Sequence, residues 1–163
     1  MSDYALDDNC EWDEVGDLDV LDLTGYQLSP TELHALAYVL PETHITALSL
    51  SECGLSGAEA VNLLGVLRHL PSLIILRLDK NANLRDRKMM AALSESLVHL
   101  TQLQVLSLDV CGLTDADVAQ LKRSLSQLRQ LQWLGLSGNS ITDAGALDIT
   151  TIAIKLPDLD NLG

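Results

Sequence analysis

Four polar side chains, Cys53, Asn81, Cys111 and Asn139, recur at spacings of 28, 30 and 28 residues along this 163-residue chain. A cysteine pair suggests a reactive thiol or part of a metal site. Interchange of Cys with Asn at one place in a repeat points instead to a side chain that turns inward and meets backbone groups of the neighbouring coil. Cys53 and Cys111 fall two repeats apart, too far for a disulfide, and Cys10 has no repeat partner. His69 and His99 also share a repeat position, near the ends of successive helices. Without a third or fourth ligand they make no zinc site, and a helix C-terminus favours them as surface residues. The run Asp17, Asp19 and Asp22 misses the calcium-loop spacing, because Leu21 and the residues after it break the ligand pattern. None of G-x-x-x-x-G-K, G-x-G-x-x-G, G-x-S-x-G, H-E-x-x-H or C-x-x-C occurs. These residues therefore predict a non-enzymatic chain with no cofactor.

The elements that hold those positions repeat. The stretch from Leu103 to Leu128 reads as a strand, a tight turn and a capped helix. Leu106 and Leu108 alternate on one strand face, Cys111, Gly112 and Leu113 make the turn, and Thr114 caps a helix carrying Val118, Leu121, Leu125 and Leu128 at helical spacing. The same pattern starts at Leu18, Ile45, Leu73, Leu103 and Leu131, and a partial sixth at Leu159, with spacings of 27, 28, 30, 28 and 28. The third repeat carries two extra residues, which the sequence places around Asn81–Leu84 and Asp86–Lys88, so that its loop should bulge. Ser29–Glu32 and Ser56–Glu59 both fit the S-x-x-E capping box, and Pro30 suits a first helical position. Thr142 should cap the fifth helix. That helix is rich in β-branched residues and should be the least regular. A single strand–helix unit cannot bury its apolar face alone, so the units must stack. Strands stack at ~4.8 Å and helices at roughly 10 Å, so the stack must curve, with the parallel sheet inside and the helices outside. The predicted class is an α/β solenoid arc of about five full repeats plus a partial sixth, spanning 18–163.

Charge is distributed unevenly. The net charge is −13; residues 1–67 hold 13 acidic residues and no Lys or Arg, whereas residues 68–163 hold 10 of each sign. Such a chain lacks the basic face needed to bind nucleic acid and is suited to a protein partner with a basic patch, or simply to solubility by self-repulsion. The apolar runs are too short to cross a membrane, and the acidic N-terminus has no secretory pattern. Three cysteines in a chain of this size suit a reducing, cytoplasmic setting. Residues 1–17, with Trp12 and Val15 at repeat-like offsets from Leu18, read as an acidic N-terminal cap or tail. The last residues, LPDLDNLG, break off within the sixth strand. They suggest a fragment or an end that self-associates through its open sheet edge.

The repeat units, with Cys53-Gly54-Leu55-Ser56, Cys111-Gly112-Leu113-Thr114-Asp115 and Asn139-Ser140-Ile141-Thr142-Asp143, resemble leucine-rich repeats of the ribonuclease-inhibitor type. The resemblance covers residues 18–162 and is similar to the repeats of NOD-like receptors and the Ran GTPase-activating protein. The first repeat departs from it, with Tyr26 at the Cys/Asn position. It implies a mainly protein-binding role, with two alternatives: a sensor or inhibitory arc of a NOD-like-receptor-type signalling system, or a GTPase activator, for which Arg77, Arg85 and Arg87 would be the residues to inspect. Fold-level likeness does not choose among these.

Residues that the coil does not need are the informative ones. Between the inward leucines, strand residues must point to the concave face. They form an apolar row, Val20, Ala47, Ile75, Val105 and Trp133, followed by Asp22, Ser49, Arg77, Ser107 and Gly135, and then Thr24, Ser51, Asp79, Asp109 and Ser137. The apolar row, expected to be exposed and to end in a Trp with Arg77, Asp79 and Asp109 alongside, is the candidate protein-binding surface. Its bland alternative is that β-branched residues merely suit strands. If the row is exposed, removing Val105 or Trp133 should weaken binding and leave stability nearly unchanged.

Overall fold

A computed structural model describes residues 18–163; the cap-or-tail assignment of residues 1–17 lies outside the described residues. Each repeat contributes one three-residue strand: β1 (Val20–Asp22), β2 (Ala47–Ser49), β3 (Ile75–Arg77), β4 (Val105–Ser107) and β5 (Trp133–Gly135). A two-residue β6 (Asn161–Leu162) closes the order. All six lie in one parallel sheet in chain order. The register advances by one repeat at every step, so that Val20, Ala47, Ile75, Val105, Trp133 and Asn161 stand side by side. The two extra residues of the third repeat do not disturb it. They are taken up by a 3-10 turn over Ala82–Arg85, where the bulge was expected.

Between strands run α1 (Pro30–Val39), α2 (Gly57–Val66), α3 (Arg87–Leu97), α4 (Asp115–Leu125) and α5 (Asp143–Ala153). Each helix packs on the next, giving a leucine-rich repeat arc with the sheet on its inner face. One continuous core joins strands to helices. It holds the strand leucines Leu48, Leu50, Leu76, Leu78, Leu106, Leu108 and Leu134 together with helix residues such as Leu63, Leu93 and Leu121. Most of these are fully buried, and each contributes roughly 1.5–3 kcal/mol by leaving water.

Helix starts confirm the sequence reading in part. Ser29 and Glu32 form a reciprocal capping box, with the Glu32 carboxylate accepting the Ser29 N–H at 2.8 Å. Those hydrogen bonds hold the Glu32 carboxyl below its ordinary pKa. Ser56 makes no such cap: Gly57 adopts φ +78°, so the chain approaches α2 along a different path. At α3 the cap is Asp86, which accepts the N–H groups of Lys88 and Met89 at 2.9 and 3.3 Å. Helix α5 is not the irregular one; it runs 11 residues like α3 and α4. Its Thr150 and Thr151 turn their hydroxyls onto the carbonyls of Ala146 and Leu147, both at 2.9 Å, which suits β-branched polar residues to a helix.

The concave strand face as a candidate interaction site

The turn residues come first, because they decide whether the cysteines carry chemistry. Asn139 donates to the carbonyls of Leu108 and Leu136 at 2.9 and 2.8 Å and accepts from the N–H groups of Cys111 and Leu113, both at 3.0 Å. Asn81 does the same one pair of repeats earlier, donating to Leu50 and Leu78 and accepting from Leu55. The Cys thiols reach only backward, Cys53 to the Leu23 carbonyl at 3.0 Å and Cys111 to that of Leu78 at 3.2 Å. Every one of these side chains thus fastens one coil to the coil before it. Burial pushes the Cys53 thiol up to about 11 and the Cys111 thiol to about 12, so both stay protonated and unreactive. Both are free cysteines. Among the described residues no group of three or more His, Cys, Asp or Glu could hold a metal ion, and His69 and His99 are exposed.

On the concave face the expected exposed row is corrected. Ala47, Ile75 and Val105 are 0, 3 and 7% exposed and form a second apolar cluster, separate from the leucine core. Their strands stand in register, so the three side chains abut laterally, with Leu18, Ile74 and Trp133 half-buried around them. Val20 on β1, at the end of the row, is 39% exposed. The residues were placed on the right face, but their centre is not open to water.

The polar rows are also engaged. Asp79 accepts from the Ser107 hydroxyl, from the Asp109 N–H at 2.9 Å and from the Ser51 hydroxyl at 3.2 Å. Its carboxylate therefore ties β2, β3 and β4 together across the face. Asp109 repeats the move one coil on, accepting the Ser137 N–H at 2.7 Å. Ser49 and Ser107 are buried, and Arg77 is half-buried at the centre of the sheet. Arg85 lies on the 3-10 turn and Arg87 at the start of α3, both exposed; neither belongs to a concave strand.

The C-terminal half of the face differs. Trp133 is half-buried, and its ring lies against Gly135, where a β-carbon would overlap it and would also come within 2.9 Å of an Asp109 carboxylate oxygen. The absent side chain at residue 135 is what leaves room for the indole, beside Asp109. A β-carbon on Gly163 would also touch the same ring, at Cζ2, at 3.6 Å. Next to this lies a residue that sequence reasoning missed. The position after Asp109 in the repeat takes a left-handed backbone in every coil: Gly25, Glu52, Lys80, Val110 and Gly138, with φ of 79, 58, 56, 54 and 67°. Glycine removes the steric cost in the first and fifth coils, and Glu52 and Lys80 pair at 2.5 Å. Val110 is β-branched and 49% exposed. A valine there carries strain of order 1–2 kcal/mol. The signal was present in the sequence, as a β-branched Val at a repeat position that reads Gly, Glu, Lys and Gly in the other coils, but only the backbone angles give it meaning.

No family model matches this sequence and no curated protein does. Solved structures do. The chain is similar to the C-terminal domain of tropomodulin from Caenorhabditis elegans, with a TM-score of 0.66 and 16% identity over 88% of this chain and 86% of that one. It is also similar to leiomodin-1 actin-binding site 2, with a TM-score of 0.58 and 16% identity over 80% of this chain and 75% of that one. At such identity the likeness is one of fold, and it agrees with the leucine-rich repeat arc described above. No helix among the described residues is long and apolar enough to cross a membrane.

Proposed function

We propose that this chain is a non-enzymatic protein-binding module whose contact surface is the C-terminal part of the concave face. Trp133, Asp109 and Val110 are its anchors, and Arg77 on β3 lies at its border. The observation that carries the reading is the Trp133 indole resting on Gly135, half open to solvent, beside the carboxylate of Asp109. Large aromatic rings held rigid at small cost in conformational entropy are the groups that dominate protein interfaces. Strain retained at an adjacent exposed Val110 supports the same place, because strain in a fold concentrates where function needs it. The buried thiols and the absence of catalytic motifs favour binding over catalysis. The turn sequences favour the ribonuclease-inhibitor subtype, and the free, buried thiols of Cys53 and Cys111 suit a cytoplasmic setting. The acidic balance favours a partner that presents a basic patch.

The leiomodin-1 segment is named for binding actin, so actin is the first partner to assay. Co-sedimentation with actin, and affinity capture comparing wild type with Trp133→Ala, test the reading together. The expected result is a partner whose binding falls at least ~30-fold in Trp133→Ala, the ≥2 kcal/mol of an interface hot spot, while the far-UV spectrum is retained. Binding that is indifferent to Trp133→Ala and to Asp109→Ala would remove the concave face from consideration.

A further inference from the structure

We propose that the cleft between the starts of α2 and α3 docks an acidic, extended segment of a partner protein. The cleft has a volume of about 890 Å³ and opens between Gly57, Ala58 and Val61 on α2 and Arg85, Lys88 and Met89 at the entry to α3. This junction departs from the repeat twice. At the equivalent junction one pair of coils later, Asp115, the first residue of α4, reaches across to Thr142 at the N-cap of α5, with bonds of 2.8 and 2.6 Å. Here the first residue of the helix is Gly57, which has no side chain to reach with. The N-cap opposite it, Asp86, accepts from N–H groups of its own helix instead. The two extra residues of the third repeat then add the 3-10 turn over Ala82–Arg85, which brings Arg85 to the cleft. Where the later coils are tied together, these two leave a gap.

Charge selects the occupant. The chain carries a net charge of −13, and elsewhere its cations find acids: Arg68 with Glu95, Lys80 with Glu52 and Lys122 with Asp148. Arg85, Arg87 and Lys88 are all exposed, and among the described residues none makes an ion pair or a side-chain hydrogen bond. Two acids stand near them. Asp86 is engaged with the start of α3, and the Glu59 Oε2 would lie 3.3 Å from a β-carbon on Gly57. The balance is still positive, in a chain whose overall balance is strongly negative. The cleft is also partly apolar, with Met89 buried and Val61 half-buried along it. A single exposed ion pair is weak, and long, exposed Arg and Lys side chains do not hold one small anion in a fixed geometry. Several carboxylates on one segment, with an apolar side chain set against Val61 and Met89, engage these groups together, as acidic motifs do on Arg clusters. The cleft lies at helix starts in the second and third coils, whereas Trp133 is on β5, and this docking does not rest on the role proposed for the concave face.

The test uses the full chain and a fluorescent acidic peptide, glutamates on either side of one leucine, followed by fluorescence anisotropy at low salt. The wild type should bind it, with the largest amide shifts at Gly57, Ala58 and Lys88; shifts confined to other coils overturn the proposal. Arg85→Glu/Lys88→Glu should weaken binding by about tenfold or more, because two attractions become repulsions. Arg123→Glu/Lys155→Glu reverses two other exposed cations and changes the net charge equally, but should alter binding by less than about twofold. Equal weakening by the two pairs overturns the proposal, since the attraction is then general; so does full binding by Arg85→Glu/Lys88→Glu. The milder Arg85→Gln/Lys88→Gln should show the same loss in smaller measure, and urea midpoints check that each variant folds. Inorganic phosphate that displaces the peptide as effectively as unlabelled peptide does would make this a small-anion site and overturn the segment as occupant. A dimer seen by sedimentation velocity that Arg85→Glu/Lys88→Glu dissociates would overturn it too, by making a second copy the occupant. Trp133→Ala should leave peptide binding unchanged, so the docking can fail while the concave-face role stands, and the reverse.

Discussion

The two faces of the same five strands obey different rules. On the leucine side, Leu48, Leu76, Leu106 and Leu134 occupy equivalent places and all are fully buried, so one residue type solves one packing problem repeatedly. On the concave side, the equivalent places hold Ala, Ile, Val and Trp in one row and Ser, Arg, Ser and Gly in the next. There each coil meets a different need: Asp79 ties three strands, Gly135 makes room for a ring, and Arg77 supplies a charge. The contrast teaches that repetition reports on the fold, while departures from repetition report on what one coil does for its neighbour or for a ligand.

Substitution can break that contrast. The largest effect is expected at Leu106→Ala, which should cost about 3–4 kcal/mol, within the usual span for a buried leucine. Val105→Ala, one residue away on the other face, should cost only about 1–2 kcal/mol, the transfer of two methyl groups. Urea unfolding of both variants checks the pair, and equal losses would merge the two faces into one core. Asn139→Ala should follow at about 2–3 kcal/mol, because it leaves two carbonyls and two N–H groups without their partner. Cys111→Ala, at the corresponding turn, removes only weak S–H bonds and should cost less; the same unfolding experiment ranks them. The smallest effect has the opposite sign. Val110→Gly should relieve left-handed strain and raise stability by about 0.5 kcal/mol after the entropic cost of glycine, while weakening partner binding. A Val110→Gly chain that is less stable than wild type would show that the side chain holds the fold.

The repeat period made most of the fold legible. Spacings of 27 to 30 residues with alternating leucines leave little freedom, because strand pairing and helix packing must both satisfy the same period. The role of Cys53, Asn81, Cys111 and Asn139 was legible for a related reason: interchange of Cys and Asn is compatible with a hydrogen bond to a backbone carbonyl and with little else. Ser56 shows the boundary of such reasoning. Its S-x-x-E motif matches that of Ser29, but a left-handed Gly57 re-aims the chain and the cap is not made. The motif specifies the groups, and the path of the backbone decides whether they meet.

Asp115 gives the clearest case of a contact hidden from local reading. It sits at the first position of α4, where an acid complements the helix dipole. Its carboxylate nevertheless accepts from the N–H and hydroxyl of Thr142, at 2.8 and 2.6 Å, and thereby supports the start of α5 one coil away. Those hydrogen bonds hold its pKa below the ordinary value. Asp79 and Trp133 are of the same kind. Each acts on residues one coil away or two positions along its strand, through distances set by how the coils stack.

By itself, then, the sequence determined the unit, its period, the parallel order of the strands and the inward ladder at the turns. These follow from spacing alone, since a 28-residue step admits one way of stacking a strand and a helix. The tertiary structure alone decided that the row from Ala47 to Val105 is closed to water, that Trp133 rests on Gly135, and that Val110 is held strained beside it. Those outcomes depend on lateral contacts between residues some 27 to 30 positions apart, and no local pattern encodes them.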